Sequence, residues 1–240
     1  MELTAQWKII PRKGLVISEE GEKEYDTGAQ IMQEIVDSLQ GRNLSDIYRN
    51  KSSIGGSTSM EGILYSSWGS LYTESFLAVI LIPKRTFTHL FVFTWAECAI
   101  LITRVLSDIE KRFFAQFLFI DLDLRRLAEW AKVNGALSSL RIEGGHCARE
   151  YHYSDSSLLN ISRMLPVRNK EIIINVGICE EQHATGKRFY YFFDDGVFSI
   201  GHNIFGSENK KNVRICEKIA RGVLKITSSF WTIRPPLSEE

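Results

Sequence analysis

Residues 114–145, FAQFLFIDLDLRRLAEWAKVNGALSSLRIEGG, read as strand, capped helix, strand. Phe117, Leu118, Phe119 and Ile120 form an apolar run too short for a helix, and its aromatic content favours a buried strand. Asp121 and Asp123 interrupt it. With Asp123 as N-cap, Leu124, Leu127, Ala128 and Ala131 recur at i, i+3, i+4 and i+7 and share one stripe. Asn134 and Gly135 supply the stop, because glycine takes the left-handed conformation that closes a helix. Leu137, Leu140 and Ile142 continue as a second strand up to Gly144-Gly145. The expected unit is a helix laid on a sheet.

Towards the N-terminus the same grammar recurs. Trp7 to Ile10 and Leu15 to Ser18 read as short strands around a Pro11/Gly14 turn, and the acidic run EEGEKEYD (19–26) as a solvated loop. From Thr27 the period is helical: Ile31, Met32, Ile35, Val36 and Leu39 share a face that Gly41 ends. The polar, Ser- and Gly-rich stretch from Asn43 to Thr58 is expected to be a mobile loop. Met60 to Trp68 and Leu71 to Ile82 are strand candidates, the latter apolar on both faces as a central strand should be. Pro83 to Thr86 turns the chain into an antiparallel partner, Thr88 to Trp95, in which His89 alternates with Leu90 and Val92. Ile102, Leu106, Ile109 and Phe113 then fall at helical spacing.

Towards the C-terminus, GGHCAREYHYSD (144–155) continues the central unit and a short helix is expected from Ser156 to Leu165, stopped by Pro166. Glu171 to Cys179 and Arg188 to Phe193 read as strands. Asp195-Gly196 signals a hairpin returning through Val197 to Gly201. Asn209 to Thr227 is the cleanest helix, and Pro235-Pro236 opens an acidic tail.

The expected class is therefore α+β, antiparallel sheets with packed helices. Its parts are a first half at 1–114, a second at 115–234 and a tail at 235–240, the halves separate or joined in one domain. Each half runs strand, helix, several antiparallel strands with a tight turn, then a longer helix. That order resembles the duplicated fold of the TATA-box-binding protein. The resemblance is one of topology and implies a tandem repeat sharing a continuous curved sheet; no family motif accompanies it.

Composition excludes several classes. The 240 residues carry 29 basic and 29 acidic side chains for a formal net charge of zero, so any pull toward nucleic acid must be local. Cys98, Cys147, Cys179 and Cys216 form no CxxC pair, which argues against a disulfide framework or zinc ribbon and for a cytoplasmic or other reducing compartment. The N-terminus lacks the zones of a signal peptide. The apolar region 76–114 is broken by charges too often to span a bilayer, so no membrane partner is expected.

Three surfaces carry candidate chemistry. On the last helix, Lys210, Lys211, Arg214, Lys218, Arg221 and Lys225 gather opposite an apolar face of Val213, Ile215, Cys216, Ile219, Ala220, Val223, Leu224 and Ile226. Only Glu208 and Glu217 oppose them there, an excess that fits an anionic partner, although acids from neighbouring loops would neutralise it equally well. Next, His146, Cys147, Glu150 and His152 place four possible zinc ligands in seven residues, yet their spacing matches no established pattern, and an ordinary loop is the plainer reading. Cys179, His183 and His202 join only if the fold delivers them. Finally, Asp121 and Asp123, with Glu143 and with Glu171 beside Lys170 as partners, could hold Mg²⁺ for phosphodiester hydrolysis. Helix capping explains the same acids more simply.

No GxSxG elbow and no GxxxxGK[ST] loop is present. The run Phe189 to Phe193 could stack bases, or form a central strand buried on both faces. The function expected is a non-enzymatic binding or accessory subunit of a larger assembly. It would use no cofactor and contact protein, and in one version nucleic acid, through the basic C-terminal helix. The alternative is a metal-dependent nuclease or hydrolase.

Overall fold

The computed structural model describes residues 3–11, 13–18, 21–26, 46–54, 57–70, 73–84, 87–96, 99, 102–103, 106–107, 117–144, 147–153, 165–168, 170–182, 186–201 and 209–234. The expected helix at 27–41, the expected helix from Ser156 to Leu165 except for its last residue, positions 109 and 113, and the tail lie outside them.

In chain order the strands of residues 1–114 are β1 (Leu3–Pro11), β2 (Lys13–Ser18), β3 (Gly21–Asp26), β4 (Asp46–Ile54), β5 (Ser57–Ser70), β6 (Thr73–Pro83) and β7 (Phe87–Trp95). There follow β8 (Leu118–Leu122), α1 (Leu124–Val133), β9 (Leu137–Gly144), β10 (Cys147–His152), β11 (Ile172–Gln182), β12 (Gly186–Phe192), β13 (Val197–Gly201), α2 (Asn209–Thr227) and β14 (Trp231–Arg234). Apart from the β2–β3 hairpin, the strands form one twelve-stranded sheet in the order β10-β9-β11-β12-β13-β1-β7-β6-β5-β4, with β8 and β14 branching off β1. All its pairings are antiparallel.

Two expectations are corrected. The acidic run is strand β3, paired residue by residue with β2 from Lys13↔Asp26 to Ser18↔Gly21. Charge does not prevent a strand, because the ladder is made by backbone groups whatever the side chains carry. The stretch expected as a mobile loop holds β4 and the start of β5, joined through Ile54↔Ser57. Its Gly55-Gly56 is a two-residue hairpin signal, read instead as part of a polar loop.

The central unit forms as its pattern requires. Asp123 caps α1, its Oδ1 accepting from the Arg126 amide at 2.9 Å, and the residues buried on the helix are Leu124, Leu127, Ala128 and Ala131. Asn134 is the C-cap and Gly135 takes φ of 66°.

Cross-strand register assigns the two faces of the sheet. Leu3, Ala5, Trp7 and Ile9 share a face with Phe91, Phe93, Ile80, Phe198, Ile200, Tyr190, Phe192, Val176 and Ile178. These residues belong to one continuous core with the apolar sides of α1 and α2, including Leu127, Ala128, Cys216, Ile219, Ala220 and Val223. Ile10, Leu90 and Val92 point the other way and are also buried; with Ile102, Leu106 and Phe117 they lie outside that core.

β1 is where the sheet forks. One edge pairs with β7 along the whole strand, while the other is shared: Leu3 to Gln6 pair with β13, and Lys8 and Ile9 with β8. The β12–β13 turn fills the notch. Gly196 O accepts from the Trp7 amide at 3.0 Å and Asp194 O from the Leu122 amide at 2.8 Å. Asp195 Oδ1 accepts from the Val197 amide, and within this turn the residue with positive φ is Gly196, at 79°.

Candidate functional site

α2 spans the residues expected of it. Cys216, Ile219, Ala220 and Val223 are buried, and Ile215, Leu224 and Ile226 are partly so. The helix rests on β5 and β6, and the Tyr190 hydroxyl of β12 lies 3.4 Å from where a Cβ on Gly222 would stand. Burial pushes the Cys216 thiol well above its ordinary pKa, which leaves it a small apolar core residue.

The opposite side of α2 is where the basic residues were expected. Lys218 and Lys225 are exposed. Arg221 donates from Nε and Nη2 to Glu217 Oε1, at 3.2 and 3.1 Å, so the helix uses its one acid on one of its own cations. Positions 211, 214, 218, 221 and 225 step by three and four and so form a stripe along the helix, about 21 Å at 1.5 Å per residue. The first turn holds no acidic residue. Lys210 and Lys211 therefore stand at the end where the helix dipole disfavours cations, by roughly 0.3–1 kcal/mol each.

The possible metal ligands that are described do not converge. Among the described residues, no three His, Cys, Asp or Glu side chains are placed to hold one ion. Cys147, Glu150 and His152 lie on β10; Glu150 and His152 are exposed and face each other at 3.5 Å. His146, His183 and His202 lie outside the described residues. Glu171 instead ties down Arg149, and its Oε2 accepts from the Arg168 amide at 2.7 Å. Asp121 and Asp123 sit at the end of β8, where the former pairs with Thr232 and the latter caps α1.

Two buried polar groupings escaped sequence reasoning. Trp7 donates from Nε1 to His89 Nδ1 at 3.0 Å, with Phe87, Phe91 and Trp231 packed around the imidazole. Alternation along β7 is visible in the sequence, but it implies a solvent-facing His89, whereas the side chain is 2% exposed. Arg188 donates from Nη1 to the Tyr190 hydroxyl at 3.2 Å, and that hydroxyl donates to Glu180 Oε2 at 2.9 Å. Burial raises the Tyr190 pKa further above its ordinary value. The cross-strand pair Glu180↔Arg188 is invisible until β11 and β12 are set in register.

No protein-family model matches the chain, and no curated protein matches it significantly. Among the described residues no helix is long and apolar enough to cross a membrane.

Proposed function

We propose that the protein is a non-enzymatic binding subunit of a larger assembly that engages an anionic macromolecule, foremost a nucleic-acid backbone, through α2. The observation that carries this reading is the helix itself. Its apolar side is committed to the core, its outer side holds Lys218 and Lys225 exposed, and Glu217 is engaged by Arg221. Cations at positions 210 and 211 work against the helix dipole, so their presence is better explained by what they meet than by helix stability. A phosphate row placed there would gain from both the side chains and the helix end. A tandem arrangement like that of the TATA-box-binding protein is part of the same proposal. In its support, residues 1–114 supply β1, β7, β6, β5 and β4 and residues 115–234 supply β13, β12, β11, β9 and β10, meeting at β1–β13.

The test is purification from the native host at moderate salt, wild type beside Lys211→Gln, Lys218→Gln, Lys225→Gln. Mass and the ratio of absorbance bands report what travels with the chain. A macromolecule that accompanies the wild type and is lost from the folded triple variant supports the proposal; one that accompanies both equally overturns it.

A further inference from the structure

The outer line of α2 does not stop where the helix does. Lys218, Arg221 and Lys225 stand at i, i+3 and i+7, Ser229 continues the spacing at i+11, and the Phe230 amide donates to Thr227 O at 2.9 Å, which carries the turn on to Phe230. There the chain meets α1. Phe230 O accepts from the Asp123 amide at 2.7 Å, the Phe230 ring packs on Trp130 with centroids 5.8 Å apart, and the Arg126 guanidinium stands 6.0 Å over the same ring. The end of α2 is thereby tied to the start of α1, and both helices pack on one core.

The cations along this line divide by whether an acid engages them. Arg221 is held by Glu217 and Arg125 by Glu129, at 3.1 and 3.6 Å, each pair one turn apart on its own helix. Among the described residues, Arg126, Lys218 and Lys225 form no ion pair, and all three are exposed. The contact of Arg126 is with a ring, which restrains the guanidinium and leaves its N–H donors to another partner. As in α2, the first turn of α1 holds no acidic residue, and a cation there gains nothing from the helix dipole. Neither an ion pair nor helix stability accounts for Arg126.

We propose that the anion-binding surface of α2 continues across Phe230 onto α1, where Arg126 contacts the same nucleic-acid backbone. This rests on the reading given for α2. Lys218 and Lys225 are about 10 Å apart along the helix axis, and Arg126 lies past the helix end on a second element. Cations spaced so widely suit a partner whose charges recur along its whole length. A phosphate backbone supplies one at every nucleotide, whereas an acidic protein segment supplies them only where its own residues fall. The planar guanidinium of Arg126 also matches a phosphate bidentately. Phe230 is a positioning residue, setting where that guanidinium stands.

The test uses the full chain and a short labelled duplex, read by anisotropy between about 50 and about 200 mM KCl. The variants are Arg126→Gln and Arg126→Lys, with two controls. Arg141→Gln removes the same charge from the other face of the sheet, since Arg141 is exposed between the core residues Leu140 and Ile142. Arg125→Gln with Glu129→Gln removes the neighbouring ion pair and leaves the net charge unchanged. Thermal melting confirms that each variant is folded. Arg126→Gln should weaken binding roughly 2- to 10-fold near 0.1 M salt and make the slope of log K against log salt shallower by about 0.9. Arg126→Lys should keep most of that slope, and both controls should match the wild type. If Arg126→Gln binds as the wild type does while Lys211→Gln, Lys218→Gln, Lys225→Gln loses affinity, the extension onto α1 is wrong and the reading for α2 stands. If that triple variant binds as the wild type does, the reading for α2 fails and the continuous surface with it. Equal losses for Arg126→Gln and Arg141→Gln, no duplex binding by the wild type, or tighter binding of polyglutamate than of duplex would each overturn the proposal.

Discussion

The Trp7 indole donates its N–H to His89 Nδ1 at 3.0 Å, and both rings are buried beside Trp231. The bond needs a neutral imidazole, since a protonated Nδ1 has no lone pair to offer. Desolvation, with the charge of Lys84 adding to it, lowers the His89 pKa to about 4.

That shift gives stability a definite pH dependence. Between about pH 4 and 6.5 the unfolded chain binds a proton that the folded chain refuses, so unfolding becomes easier as pH falls through this window. Roughly 3 kcal/mol is at stake. Urea midpoints measured from pH 7 to pH 4 should fall steeply for the wild type. His89→Gln, which keeps an acceptor for Trp7 but does not titrate, should show a flatter profile.

Gly196 should be the least replaceable turn residue. At φ of 79°, a Cβ there would stand 2.7 Å from Trp7 O and 3.0 Å from Ile120 Cβ, in the notch where the sheet forks. Gly196→Ala should cost roughly 2–5 kcal/mol, combining left-handed strain and a clash with backbone. Gly135→Ala has a similar φ of 66° but nothing within 4 Å, so its cost should be roughly 1–2 kcal/mol of strain alone. Chemical denaturation of the pair measures the difference.

Asp123 should behave as a cap. Asp123→Ala should lower stability by about 1 kcal/mol, while Asp123→Asn, also a good N-cap, should leave it nearly unchanged. A metal-binding role predicts the opposite ranking for Asn in any Mg²⁺-dependent thermal shift.

Tyr190→Phe removes the hydroxyl that accepts from Arg188 and donates to Glu180. With both partners largely buried, the loss should be roughly 1–3 kcal/mol. Glu180→Gln combined with Tyr190→Phe should cost less than the two singly summed, because the groups share one network.

Local pattern was legible where one rule governs a segment. The cap at Asp123, the four buried positions of α1 and the bounds of α2 follow from helical period and turn chemistry, and the structure repeats them residue for residue. What failed depends on partners outside the segment itself. β3 is a strand because β2 lies beside it, and β14 forms because β8 offers an open edge at Leu122↔Trp231. Neither segment has enough apolar alternation to announce itself. His89 was legible as the odd residue of an alternating strand, but not as buried, since that requires Trp7 to arrive from 82 positions away. The candidate site divides the same way. The stripe on α2 is written in its spacing, whereas Arg126 joins it only through Phe230, which arrives from more than 100 positions away.

The most direct measurement is the affinity for a short labelled duplex between about 50 and about 200 mM KCl, for the wild type and for Lys211→Gln, Lys218→Gln, Lys225→Gln. If α2 meets a phosphate backbone, log K falls linearly with log salt, and the slope becomes shallower by about 0.9 for each cation removed. The account predicts weaker binding and a shallower slope for the folded variant. Equal affinity and equal slope for both proteins, or no binding by the wild type even at the lowest salt, would contradict it.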